Sequence, residues 1–274
     1  GIIQGVAEFL PISSSGHLAL FQTFFGMENM EEKYMFFTVL LHFGTLISVC
    51  MVYWRDIVDM IREFFLGIAA LAGRKDTGVA PPPARRMVML IIIATVPLFV
   101  MVFLQDAVNQ LFSNSIMVSC ALLATGFILF FSDRMARGHK TAKNATVADA
   151  LIVGCGQALA VIPGLSRSGT PISVGMMRGF DRAFAVRFSF LMSLPAVLGA
   201  NVLEIKDALA SNFPIEELPM YLVGVAVSAV VGYFAIRLVK SLSDKGKFGK
   251  FAYYCWAVGL GSLVAGIVKM MLLK

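Results

Sequence analysis

Charge is scarce in this chain. Asp, Glu, Lys and Arg make up only 15% of its 274 residues, while 58% are hydrophobic and the mean hydropathy is +0.80. A soluble domain carries roughly a quarter charged residues, so this balance excludes one and marks an integral membrane protein. The alternating ten-residue segments of an outer-membrane barrel are also missing. The apolar matter comes instead in blocks of about 17 to 23 residues, the length at which a helix crosses about 30 Å of hydrocarbon. Four cysteines, Cys50, Cys120, Cys155 and Cys255, stand singly without metal-ligand spacing and read as small packing residues. The chain has no G-x-x-x-x-G-K-[ST], no H-E-x-x-H and no G-x-S-x-G, so the common nucleotide, zinc and hydrolase signatures are absent. It opens on Gly1 without a basic n-region, and the reading expects no signal peptide and a shortened first helix.

What is present predicts an all-α membrane protein with six spans: Tyr34–Trp54, Met87–Leu104, Ile116–Ser132, Val186–Leu203, Pro219–Val239 and Phe251–Leu273. The segments 55–86, 134–143, 178–187 and 237–250 hold 18 of the 23 Lys and Arg, and the positive-inside rule turns them to the cytoplasm. The alternate connections, 26–33, 105–115 and 204–218, carry Lys33 and Lys206 against Glu28, Glu31, Glu32, Asp106, Glu204, Asp207, Glu216 and Glu217, and are placed outside. Topology and anionic lipid thus account for the net charge of +6, and no nucleic acid is called for. The stretch Ile57–Gly73 is amphipathic and is expected at the inner interface. "GRKDTGVAPPPARR" after it reads as an exposed loop, because its prolines block helix.

Two apolar pieces, 1–12 and 148–163, are too short to cross, and each runs into a Ser- and Gly-containing turn: "FLPISSSGH" and "VIPGLSRSGT". About ten helical residues rise roughly 15 Å, half the hydrocarbon, so both are predicted as re-entrant helix-turn-helix elements with turns near the midplane. A shift of 153 positions lays Gly1, Gln4, Ala7, Ser13, Ser15 and Gly16 on Gly154, Gln157, Ala160, Ser166, Ser168 and Gly169. The reading is one membrane domain over 1–274 with an internal repeat, 1–132 and 148–274. The charge map inverts the two halves, and such folds bind their ligands at the repeat interface.

The turns would bring Ser13, Ser14, Ser15 and His17 against Ser166, Arg167, Ser168, Gly169 and Thr170, with Gln4 and Glu8 on the helix leading in. An ionised side chain at the centre of a bilayer costs about 2.5 to 3.5 kcal/mol on insertion scales, so Glu8 and Arg167 should face each other, water or a ligand. A planar guanidinium, hydroxyls and free N–H groups at helix starts together favour a phosphate. Ser14 and His17, three apart, share a helix face as nucleophile and base. Glu8 would either orient His17 or ligate a divalent cation. Ser13 and Ser15 also have a plain structural reading, since serines in membrane helices commonly bond backbone carbonyls. His42 is a weaker candidate, for the cavity or for a bond between helices, and His139 reads as solvated.

"QGVAEFLP", "SSSGH" and, about 150 residues on, "PGLSRSGT" resemble the undecaprenyl-pyrophosphate phosphatase family, the bacitracin-resistance type of bacterial membrane enzyme. The resemblance covers essentially the whole chain. Its (E/Q)xxxE pattern falls on Gln4 and Glu8, its serine-histidine stretch on Ser13, Ser14 and His17, and its PGxSRSxxT pattern on Pro163, Gly164, Ser166, Arg167 and Ser168. One position departs: the final Thr of that pattern is Pro171 here, with Thr170 one place early. The resemblance implies interlocked inverted repeats with two re-entrant elements. It also implies removal of the terminal phosphate from a C55 isoprenoid diphosphate at the outer face of the plasma membrane, with Mg²⁺ or Ca²⁺ as cofactor. It leaves a homodimer open.

Two function classes follow. In a phosphatase, Arg167 and backbone N–H groups hold the diphosphate, Ser14 or an activated water attacks the terminal phosphorus, and His17 handles the proton. In a lipid flippase or other transporter, the same inverted architecture would need an anion site but no nucleophile paired with a base. The Ser14 and His17 spacing favours the enzyme.

Overall fold

The computed structural model describes residues 1–25, 35–72, 81–112, 114–210 and 218–272. Their regular structure is helical apart from one isolated bridge between Lys140 and Phe180. In chain order the helices are α1 (Ile2–Phe9), α2 (Ser14–Phe25), α3 (Met35–Val52), α4 (Trp54–Ala72), α5 (Pro83–Phe103), α6 (Gln105–Phe112), α7 (Ser115–Met135), α8 (Val147–Leu159), α9 (Gly169–Met177), α10 (Arg182–Ala210), α11 (Leu218–Asp244) and α12 (Phe251–Leu272). The stretches 26–33, 73–80 and 211–217, with Glu28, Glu31, Glu32, Lys33, Glu216 and Glu217, lie outside the described residues. So do the side chains of Asp106, Glu204, Lys206 and Asp207.

Five helical stretches are long and apolar enough to cross a membrane, and α3 with α4, bent by 86° at their junction, makes a sixth candidate. The bend turns the amphipathic 57–73 segment away from the axis of α3. The described part of each expected span falls mainly on one helix, except that Tyr34–Trp54 ends across the break at Tyr53 on α4, and α10 and α11 run well past the hydropathy limits. Hydropathy reads the thickness of hydrocarbon, whereas backbone hydrogen bonds continue a helix beyond it. Helix α6 was not expected. The segment 105–115 reads as a polar connection, yet Val108 gives it one buried contact on which a short helix forms.

The short helices pack across the chain. Helix α1 lies on α11 and α8 on α5, while α3 pairs with α11 and α7 with α12. Lipid tails give no hydrophobic drive between helices, so close approach and polar bonds hold them. Gly154 of α8 sits where a Cβ would strike the backbone of Ala94, and Gly5 of α1 where it would meet the Ser228 carbonyl at 2.8 Å. Ser48 Oγ donates to the Ala229 carbonyl at 2.7 Å, and Ser228 Oγ to the Leu41 carbonyl at 3.0 Å. The start of α10 supplies the largest buried side chains, Phe184, Phe188 and Phe190, and Phe190 meets Phe9 of α1 edge-on at 5.6 Å.

Where the basic segments converge, many of their charges are paired. Asp149, in the first turn of α8, takes Lys140 Nζ at 2.8 Å and Arg178 at 3.0 Å, and closes a capping box with Thr146. Lys140 also joins the α9–α10 turn through its backbone, donating to the Gly179 carbonyl and accepting from Asp181 N. Arg182 pairs with Asp133, and Asp133 in turn accepts from Gly249 N at 2.9 Å. This lattice sets the angle at which α8 and α9 enter the molecule. Burial by itself raises the Asp149 carboxyl, but hydrogen bonds from Lys140, Thr146 and Arg178 outweigh it and leave the group at about 2. A depressed carboxyl contributes stability that is complete above its unfolded value of about 3.9 and is lost as pH falls toward the folded one. We expect Asp149→Asn to cost about 1.5–3 kcal/mol, the worth of hydrogen bonds to a charged group. The thermal midpoint difference from wild type in detergent should be constant between pH 5 and 8 and shrink as pH falls from about 4 to 2.

Candidate active site

Two turns meet at the centre of the molecule. The first, residues 10–13, joins α1 to α2; the second, residues 160–168, joins α8 to α9. Each helix start needs acceptors for its orphan N–H groups. Ser13 Oγ accepts from Gly16 N at 3.2 Å, and Ser166 Oγ accepts from Gly169 N at 3.0 Å. Ser13 has φ 63°, left-handed for a non-glycine residue, and Gly164 has φ 98°. The turns touch directly: a Cβ on Gly16 would lie 2.8 Å from the Gly164 Cα, and one on Gly169 would lie 2.7 Å from Pro11 Cβ. Ser168 Oγ crosses between them to the Leu10 carbonyl at 3.3 Å, and Thr125 of α7 holds the Gly164 carbonyl at 2.8 Å.

Glu8 is the charged centre. Its side chain is 10% exposed, and its Oε2 receives Gln4 Nε2 at 3.2 Å and Arg167 Nη2 at 3.3 Å, with His42 Nδ1 at 3.8 Å. The i, i+4 spacing of Gln4 and Glu8 on α1 puts both on one face, and Arg167 arrives from the other turn. The Arg167 side chain is 43% exposed, and one guanidinium nitrogen suffices for the carboxylate. The remaining donors are left for an anion. Gln4 also faces His42 Nδ1 of α3 at 3.2 Å, so the mid-span histidine belongs to this cluster.

His17 is oriented by its own turn. Nδ1 lies 2.8 Å from the Ser13 carbonyl oxygen, an acceptor only, so Nδ1 carries the proton. Nε2 lies 2.9 Å from Tyr254 Oη, and the two rings are near-parallel at 14°. Two expected contacts differ. Glu8 does not orient His17; the Ser13 carbonyl does, because a left-handed Ser13 turns it back toward the ring. Ser14 shares the helix face but is not bonded to His17, and neither Ser14 nor Ser15 has a hydroxyl partner among the described residues.

Among the expected phosphate contacts, Ser13 and Ser166 are buried and occupied as helix caps, Ser168 bonds Leu10, and Gly169 is buried against Pro11. Thr170 is buried with an unpartnered Oγ1. Ser14, Ser15, His17 and Arg167 are the partly open polar groups of the two turns. Tyr254 was missed. It lies in "FAYYCW" on α12, 237 residues from its partner, and no local pattern signals it.

The profile described as Bacitracin resistance protein BacA matches residues 1–261. A protein of Alkaliphilus metalliredigens named Undecaprenyl-diphosphatase is 41% identical over 260 residues, covering 94% of each chain. Proteins of the same name from Halothermothrix orenii and Methanosphaera stadtmanae are 40% and 38% identical, covering 97% and 98% of this chain and 96% of theirs.

The contact between the turns has a direct test. Gly16→Ala should cost about 1–3 kcal/mol, the usual penalty of forcing atoms into a packed interior. Gly164→Ala should cost more, since it adds left-handed backbone strain to a clash with the Val118 carbonyl. Gly261, with nothing within 4 Å of its Cβ position, should accept Ala without loss. Thermal midpoints of the three variants in detergent decide the ranking.

Proposed function

The chain belongs to the bacitracin resistance protein BacA family, and from that membership and the site we propose that it hydrolyses undecaprenyl diphosphate. The products are undecaprenyl phosphate and inorganic phosphate, which returns the lipid carrier to cell-wall synthesis. The observation that carries the reading is Arg167: a half-open guanidinium held by the largely buried Glu8, on the turn that packs against the one carrying Ser14 and His17. Relatives at 38–41% identity bear the same activity in their names.

Arg167 and the free N–H groups at the start of α2 bind the diphosphate and stabilise charge on its equatorial oxygens. Ser14 Oγ attacks the terminal phosphorus, its proton passing to His17 Nε2. The bond to the bridging oxygen breaks and undecaprenyl phosphate leaves. Water then cleaves the phosphoserine to free phosphate. Direct attack by a water assisted by His17 is the competing version. Glu8 aligns Arg167 throughout.

A divalent cation, Mg²⁺ or Ca²⁺, fits this donor set in one sense. Among the described residues no three His, Cys, Asp or Glu side chains form a metal cage. Mg²⁺, however, is usually held by one or two carboxylates together with substrate phosphates. Glu8, with Gln4 beside it, would hold the ion, which supplies charge neutralisation on the diphosphate.

The fuller architecture is six spans with two re-entrant elements in inverted halves, over 1–132 and 148–274. Its support is the pair of equivalent caps, Ser13 to Gly16 and Ser166 to Gly169, and the exchange by which α1 packs on α11 and α8 on α5. The protein sits in the bacterial plasma membrane. Its site opens to the outer side, a placement that rests on the basic segments.

Purified protein should release phosphate from undecaprenyl diphosphate in detergent; no release with Mg²⁺, Ca²⁺ or chelator would favour the transporter instead. Arg167→Lys should lose nearly as much as Arg167→Ala, about 10²–10³-fold in kcat, because a point charge cannot reproduce the planar fork. Ser14→Ala, His17→Ala and the double variant should be non-additive, each single loss approaching the double one. Losses that add would assign the attack to water.

A further inference from the structure

We propose that Tyr254 is the positioning residue of His17, its hydroxyl donating to Nε2 and holding the one ring nitrogen that can take a proton in a single direction. The inference rests on the phosphatase reading for what His17 does, but not for the bond itself. Three observations carry it. First, the Ser13 carbonyl accepts the Nδ1 proton at 2.8 Å, so in the neutral ring Nε2 is the acceptor and the phenol at 2.9 Å is the donor. The carbonyl fixes the tautomer, and the phenol matches it from the other side of the ring. Second, the near-parallel rings, with centroids 5.6 Å apart, give the imidazole one tilt as well as one tautomer. Third, Tyr254 is not spent on packing. The neighbouring Cys255 is fully buried and seats α12 on the first turn, its Sγ 3.6 Å from the Pro11 carbonyl, while Tyr254 is 45% exposed. An exposed tyrosine whose hydroxyl meets the site histidine has no structural task that phenylalanine would fail.

A phenol hydroxyl both donates and accepts. It can therefore cap the single lone pair of Nε2 while the ring is neutral, give it up as the Ser14 proton arrives, and accept from Nε2–H once the ring is charged. Ser14 cannot take this role at rest, since its hydroxyl has no bond to the ring. The arrangement explains how the ring is aimed before a lipid diphosphate arrives.

The test uses Tyr254→Phe, which keeps the ring and removes the hydroxyl, and Tyr254→Leu, which removes both. For Tyr254→Phe we expect kcat to fall by about 10–100-fold, the usual cost of removing an orienting partner of a working histidine, with KM within two-fold of wild type and an unchanged thermal midpoint. In a His17→Ala background the same substitution should cost nothing further, because it acts through that ring. Histidine ¹⁵N spectra provide a readout independent of turnover, and the chain has only three histidines. The His17 Nε2 resonance should move downfield in Tyr254→Phe as its hydrogen bond is lost, while Nδ1 stays protonated. Wild-type kcat in Tyr254→Phe overturns the proposal, as does an unmoved Nε2 resonance. A defect confined to Tyr254→Leu would make the residue structural and overturn it too. If wild-type protein releases no phosphate at all, the phosphatase reading fails, and the spectra still judge the Tyr254–His17 bond.

Discussion

A carboxylate and a guanidinium inside a lipid-facing molecule impose the constraint on which the rest depends. Glu8 and Arg167 are 159 residues apart and meet at 3.3 Å. Neither side chain is tolerable against hydrocarbon alone, so the two turns that carry them must be brought together and kept together. The small residues at the contact, Gly16, Gly164 and Gly169, exist to let backbone meet backbone there. The packing of α1 on α11 and of α8 on α5, and the ionic lattice around Asp149, hold the helices that carry the turns.

The cost of building such a centre is visible in how the hydroxyls are used. Serine is abundant in both turns, yet Ser13 and Ser166 serve as caps and Ser168 ties one turn to the other. Structure consumes these groups because a broken helix exposes N–H donors that lipid cannot satisfy. The residues left open, Ser14, Ser15, His17 and Arg167, form a compact set on the two turns. The groups that the backbone does not need are thus the ones left available for a ligand.

The apolar blocks were legible because hydrocarbon thickness is written directly into block length: among the described residues five helical stretches and the bent α3–α4 pair are long and apolar enough to cross. The pairing of Gln4, Glu8 and Arg167 was legible too, since charge in an apolar setting must find charge. The orientation of His17 was not. It depends on a left-handed Ser13, a backbone choice that no composition announces, and on Tyr254, which reaches it from the last helix. His42 stood between lining a cavity and bonding another helix, and its place beside Gln4 of α1 bears out the second. Helix α6 was missed because its eight residues hold a single i, i+3, i+4 set, Val108, Leu111 and Phe112, in an otherwise polar stretch.

By itself the sequence determined the class of protein, its helical apolar blocks and the charged pair Glu8 and Arg167 that an apolar setting must bring to partners, because each follows from local chemistry and length. Tertiary structure alone decided which hydroxyls are capped and which are free, which nitrogen of His17 holds the proton, and which distant tyrosine faces the other. The caps and the tautomer are set by local turn geometry that the packed turns enforce, and the tyrosine by a contact 237 residues apart. A hydrogen bond needs a specific distance and direction, and only the packed backbone supplies both.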